Sequence, residues 1–354
     1  MSSRAGGNDV TVTSETPIRT LEGHFSCGSG LLVLKECLGR SYSTKTATRD
    51  LAISLPNLKQ DWCEGYLDPP TWSFKDFRAA DVDLDPAMSD EKFGWGTSTG
   101  FVDEPDGTQT LVYARVDRLR FETNFTAGPS QFFEARSTAL GEMERWWGLI
   151  TSWIEIFTGQ DFVELGKSKG GMRADSIIMW VGDENDARVN PARDRNIPTY
   201  SDLADKLDHV TLTACMTLAG NGIEPPDEWL LIRDARSLQN ARHYRRAVID
   251  AGTAAELAMT TLLDRNLSSS DPAIKKALYD KYQTLNGRSQ LLKKLSAGTV
   301  PERLQQELSE PRNDAAHGGA SPTFDETSLA IAKAAELVEQ AHPLAGLLPS
   351  SPSP

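Results

Sequence analysis

The chain has 354 residues, of which 39% are hydrophobic, with eight tryptophans and a formal net charge of −13. That is enough apolar material for about two cored domains, which excludes a wholly disordered chain. No stretch reaches the length of a membrane span and residues 1–16 hold no apolar run, so a soluble cytoplasmic protein with no membrane partner is expected.

Residues 1–16 are rich in Ser, Thr and Gly and read as a disordered N-terminus. Residues 17–200 read as a β-rich α+β domain, with candidate strands over 31–38, 50–55, 72–77, 93–102, 109–116, 118–125 and 176–181. Asp106-Gly107 lies between two of these and signals a two-residue hairpin. One long amphipathic helix, over 137–157, interrupts the strands. Its Met143, Trp146, Trp147, Ile150, Trp153, Ile154 and Phe157 recur at three- and four-residue spacing, which predicts a packing face rather than a ligand shelf. Cys27, Cys37, Cys63 and Cys215 show no C-x-x-C pairing, so free thiols are expected and no metal site.

Residues 201–225 read as a linker region. Ser201 is a possible N-cap, 210–213 reads equally as extended, and Asn221-Gly222 and Pro225-Pro226 break the chain. Over 226–344 strand signals cease and an all-α bundle is predicted. Helices are expected over 227–239, 242–265, 272–282, 288–295 and 301–308. Asp271-Pro272 supplies an N-cap followed by proline at the first helical position. Thr323 and Glu326 form a capping box that opens the last helix. Val248, Ala251, Ala255, Ala258 and Leu262 make a seam whose small residues permit close helix approach. Residues 345–354 read as a disordered tail.

The acidic balance is unevenly spread. Residues 226–344 hold fifteen Lys/Arg against sixteen Asp/Glu, whereas 233–294 hold twelve against six. Arg233, Arg236, Arg242, Arg245 and Arg246 begin a basic stripe of the kind that follows an RNA backbone, continued by Lys275, Lys276, Lys281, Arg288, Lys293 and Lys294, with Arg242, Arg245 and Arg246 as the candidates to line the RNA path. The bland alternative is an ordinary solvated helix surface.

Within the bundle lies the run Arg312-Asn313-Asp314-Ala315-Ala316-His317-Gly318-Gly319. It places a guanidinium, a carboxamide and an imidazole within two helical turns, a set suited to metal-free RNA cleavage: the imidazole moves protons and the guanidinium holds phosphate. On an ideal helix Asn313 and His317 share a face, while Arg312 points away from His317. Pro311 must either kink the preceding helix or begin a new one. Glu256, an acid inside the apolar stretch 254–259, is either solvated on the helix flank or paired, and Arg312 is a suitable partner.

The pattern Arg-Asn-x-x-x-His-Gly, with amphipathic helices around it, resembles the signature of HEPN domains, a helical family containing many ribonucleases. The resemblance covers the last third of the chain. It implies Arg312, Asn313 and His317 as catalytic residues, with Glu256 and Asp314 in support, no cofactor, and a cleft at a homodimer interface where two copies of the motif meet. It also implies an endoribonuclease effector of bacterial anti-phage defence or a toxin-like role. The N-terminal domain would sense a phage-derived or small-molecule trigger. Two other functions are open at this point: a non-catalytic module of the same fold that binds nucleotide or RNA, or mediates dimerisation, and a carbohydrate-processing or carbohydrate-binding protein, which rests only on the aromatic, acidic N-terminal half and lacks a recognisable carboxylate pair. HEPN toxins paired with a nucleotidyltransferase carry tyrosine two residues after the histidine; Gly319 stands there in this chain.

Overall fold

A computed structural model describes residues 18–58, 65–70, 95–126, 132–162, 164–165, 204–319 and 321–348. The expected strands at 72–77 and 176–181, the N-terminus 1–16 and Cys63 lie outside the described residues. The fold is α+β, an antiparallel sheet followed by helices.

The sheet is organised by two long strands, β1 (Ile18–Leu34) and β7 (Gln109–Thr126), which pair antiparallel along most of their length. β2 (Ser41–Lys45) and β3 (Asp50–Ser54) form a hairpin that adds to the second half of β7, with Leu51 opposite Thr123. A separate small ribbon joins β4 (Asn57–Leu58) to β5 (Leu67–Asp68). β6 (Gly96–Asp103) pairs with the first half of β7. The β6–β7 turn has three residues, not two. Glu104 and Thr108 close it (Glu104 N to Thr108 O, 2.8 Å) and Gly107 is left-handed at φ +83°. Pro105 explains the difference, because its fixed φ suits the first corner of a type I turn, which then needs a left-handed residue to finish.

Helix α1 (Phe132–Thr158) buries Met143, Trp146, Ile150, Trp153 and Ile154, as its apolar stripe predicts. Trp147 stacks on Phe25 of β1 at 4.6 Å. The aromatic face is therefore core.

The expected linker is structured where it is described. Leu207 bridges to β1 through hydrogen bonds with Leu32 and Leu34, each 3.0 Å. Helix α2 (His209–Gly220) follows, capped by Asp208, whose side chain accepts from the Thr211 N–H at 2.7 Å. A cap three residues before Thr211 settles the helix over the extended alternative. α2 lies on β2, with Thr44 Oγ1 donating to Met216 O at 2.8 Å.

The remaining helices are α3 (Asp227–Asn240), α4 (Tyr244–Asn266), α5 (Pro272–Lys281), α6 (Leu285–Leu295), a helical run α7 over 305–318, and α8 (Phe324–Ala341). The α4 seam Val248, Ala251, Ala255, Ala258 and Leu262 is buried in the bundle. Asp271 caps α5 and the Thr323–Glu326 box caps α8, as expected. Part of the expected tail is ordered, since Ala345–Leu347 form a short helical turn. The sheet and the bundle share one core, which passes through α1. Trp153 Nε1 donates to Ile223 O at 2.9 Å, and Arg233 of α3 reaches Ser152 at 2.9 Å and Glu155 at 3.6 Å.

Candidate active site

The motif lies on α7, which is one continuous helical run built from Gln305–Ser309, Glu310–Asn313 and Asp314–Gly318. Its first and last segments are π turns and only the middle one is α-helical. Pro311 stands in the first turn of the short α-helical segment Glu310–Asn313, as one of the two expectations had it, and Ser309, Glu310, Asn313 and Asp314 keep right-handed helical dihedrals, so the run continues through it. Proline lacks an N–H and crowds the carbonyl four residues back. The widened turn just before it, in which the Glu310 N–H reaches Gln305 O, gives the ring room. Gly319, left-handed at φ +69°, ends the helix directly after the motif.

The second π turn changes the geometry expected of an ideal helix. In an α-helix residues four apart share a face, whereas a turn closed by i to i+5 bonds brings residues five apart toward each other. His317 is five beyond Arg312, so the π turn Asp314–Gly318 swings it toward the arginine's side. The divergence between Arg312 and His317 expected of an ideal helix is thereby reduced. Asn313, Asp314 and His317 are exposed.

Arg312 is held from below by α4. Its stem crosses Gly252, where a Cβ would lie 2.7 Å from Arg312 Cγ. One turn along the same face, Glu256 meets the guanidinium at 3.4 Å, with both side chains 25% exposed. Asn313 Oδ1 accepts from Arg312 Nη1 at 3.3 Å. Arg312 Nε is buried without a hydrogen-bond partner. Gly252 was not singled out in the sequence, yet its spacing of four from Glu256 marks a slot on one helix face. Arg288, another residue whose role the sequence hid, donates to Glu256 O at 3.1 Å and to Thr260 Oγ1.

The basic stripe is not one surface. Arg233 and Arg236 turn inward against α1, Lys275 pairs with Asp264 at 2.6 Å, and Arg288 is spent on α4. Arg242, Arg245 and Arg246 are exposed at the start of α4, and they differ among themselves. Arg245 Nε donates to Ala315 O at 2.7 Å. That carbonyl is among the last four of α7, which lack intrahelical partners, and a cation suits this end of the helix. Arg242 is left-handed at φ +63° and closes α3, with His243 N to Leu238 O at 2.8 Å and Arg242 N to Gln239 O at 2.9 Å. Arg246 faces Asp250, whose carboxyl is raised by burial, an effect that Arg246 opposes.

Cys27, Cys37 and Cys215 are buried free thiols, with burial pushing Cys37 up to about 11. Among the described residues no group of three or more His, Cys, Asp or Glu is placed to hold a metal ion, and no helix is long and apolar enough to cross a membrane. No family model matches this chain. No curated protein and no solved structure matches it either.

Proposed function

We propose that the helical region is a metal-independent endoribonuclease of the HEPN type, regulated by the sheet region and serving in anti-phage defence or a toxin-like role. The observation that carries this reading is the slot on α4. Gly252 and Glu256 fix Arg312 beside Asn313 on the helix that also exposes His317. A partly exposed guanidinium on the same helical run as a solvent-facing imidazole suits a phosphate brought to both.

In this reading His317 takes the proton of an RNA 2′-OH as its oxygen attacks the adjacent phosphorus. The bond from phosphorus to the 5′ oxygen breaks and that oxygen takes up a proton. The products are a 2′,3′-cyclic phosphate and a 5′-OH. Arg312 neutralises the charge that grows on the phosphoryl oxygens, Asn313 positions the phosphate, and Glu256 keeps Arg312 in place. Asp314, three residues before His317, orients the imidazole in this reading. Arg242, Arg245 and Arg246 lie on the RNA path. The resemblance implies a homodimer in which two copies of the motif face each other.

One observation favours the second reading, a non-catalytic module that binds RNA or nucleotide or dimerises: Arg312 already has a carboxylate partner in its own chain. End-labelled RNA incubated with wild type, Arg312→Ala and His317→Ala in EDTA separates the two. The nuclease reading expects cyclic-phosphate ends from wild type and a loss of about 10²-fold or more in each variant. Equal activity in all three, or 3′-OH ends formed only with added magnesium, overturns it.

A further inference from the structure

Helix α5 buries none of its residues, and the segment from α5 through α6 is the most basic part of the bundle. Residues 272–296 hold six Lys/Arg and one acid, Asp280. Two of the six are consumed locally, Lys275 by Asp264 and Arg288 by the α4 backbone and Thr260. Lys276, Lys281, Lys293 and Lys294 remain exposed and enter no ion pair among the described residues.

Three of the elements needed to seat a nucleobase meet at Tyr282. Lys294 Nζ lies 2.9 Å from the phenol oxygen and 5.2 Å from the ring centroid, and Lys281 Nζ lies 5.7 Å from the same centroid. The ring's backbone is fixed: Tyr282 N donates to Leu278 O at 3.0 Å, and the Tyr282 main chain backs against Gly287, where a Cβ would sit 3.1 Å from it. Thr284 caps α6 immediately after, accepting from Gly287 N at 3.0 Å. The hydrogen bond from Lys294, with the charges of Lys294 and Lys281, holds the phenol below its ordinary range.

We propose that Tyr282 with Lys281, Lys293 and Lys294 is a binding platform for single-stranded RNA, one base stacking on the ring and the flanking phosphates meeting the lysines. A partly exposed aromatic set among cations without carboxylate partners is the arrangement by which sequence-tolerant single-strand binders work. A solvated lysine face alone would offer charge but no stacking surface. The platform is joined to the motif across α4, since Arg288 of α6 binds the Glu256 carbonyl while the Glu256 carboxylate binds Arg312. This inference rests on the RNA reading of the motif.

The test is affinity rather than cleavage, in the full chain carrying His317→Ala, with a short fluorescent oligouridylate as probe. Tyr282→Leu keeps an apolar side chain without a π face, and Tyr282→Phe keeps the face without the hydroxyl. The expected result is a loss of about tenfold for Tyr282→Leu, within the range for one stacked base, and affinity near the parent for Tyr282→Phe. Lys281, Lys293 and Lys294 changed together to alanine should reduce the slope of log affinity against log salt by about 2. Parent affinity retained in Tyr282→Leu overturns the platform and leaves the nuclease reading standing. A lysine effect with no tyrosine effect also overturns it, because it marks charge attraction without stacking. If the parent binds no oligouridylate and wild type cleaves no RNA, both inferences fail together.

Discussion

Replacing Gly252 by alanine tests the slot on which the candidate site depends. In the middle of a helix this change ordinarily stabilises by about 0.5–1 kcal/mol, because alanine costs less backbone entropy than glycine. At Gly252 the new methyl would lie 2.7 Å from Arg312 Cγ. The nearest atom is close to the backbone of α7, so rotating the far end of the side chain does not relieve the overlap. Overpacking of this kind costs about 1–3 kcal/mol, and the expected net change is a destabilisation of about 1–2 kcal/mol. Gly148 of α1 is the internal control, since a Cβ there meets nothing within 4 Å and alanine should stabilise. A second control follows from the geometry. In an Arg312→Ala background the stem beyond Cβ is gone, and Gly252→Ala should recover the stabilising sign. Urea denaturation of the four chains and the Gly148 variant, with coincident fluorescence and circular dichroism, supplies the numbers. Gly252→Ala matching Gly148→Ala in the otherwise wild-type chain would show that Arg312 does not lie against α4 in solution, and the site geometry described above would be wrong.

Arg242→Gly should raise stability by about 1 kcal/mol, because the residue holds a left-handed conformation that glycine adopts without strain; equal or lower stability in urea counts against that account. Trp153→Ala should cost about 3–5 kcal/mol by the same assay, as the side chain is 1% exposed and bonded to Ile223 O, and a loss below 1 kcal/mol would contradict its place in the core. Glu142 is buried, which raises its carboxyl, but hydrogen bonds from Thr46 and Thr48 and the charge of Arg49 bring it below the ordinary range. A depressed folded value means that its contribution is complete above the unfolded value of about 4.3 and is lost as pH falls through the folded one. Glu142→Gln should therefore flatten the acid limb of stability against pH below about 4.3, and an unchanged limb measured from pH 7 to 3 argues against the network.

What could be read from the sequence was what local chemistry decides. Asp271-Pro272 and the Thr323–Glu326 box start helices within four residues, and the α1 stripe names its own buried face. Where neighbours decide, the reading stopped short. Residues 109–116 and 118–125 look like two strands because Asp117 interrupts the alternation, yet β7 runs through it: Trp95 takes the Asp117 N–H at 3.0 Å and Arg115 takes its carboxylate at 2.9 Å. Charge could be counted along 233–294, but the pairing of Arg233 with Glu155 of α1, of Lys275 with Asp264 and of Arg288 with the Glu256 carbonyl is set by how the helices pack. For the motif, Glu256 was visible as an acid needing a partner. The π turns were not, because residue types alone do not distinguish i+4 from i+5 closure over 305–318.

A π turn is an α-helix that has accepted one residue too many, and what has been inserted can be taken out again. Deleting Ala316 would let the end of α7 close with ordinary four-residue spacing while Gly319 still stops the helix. The helix would lose nothing it needs. His317, however, would sit four positions after Arg312 in place of five, and its azimuth would be set by a regular 100° step instead of the widened turn. A single-codon deletion thus separates the two properties that the motif combines, a stable C-terminal helix and a particular angle between guanidinium and imidazole. It leaves the residue types intact and alters only their phase.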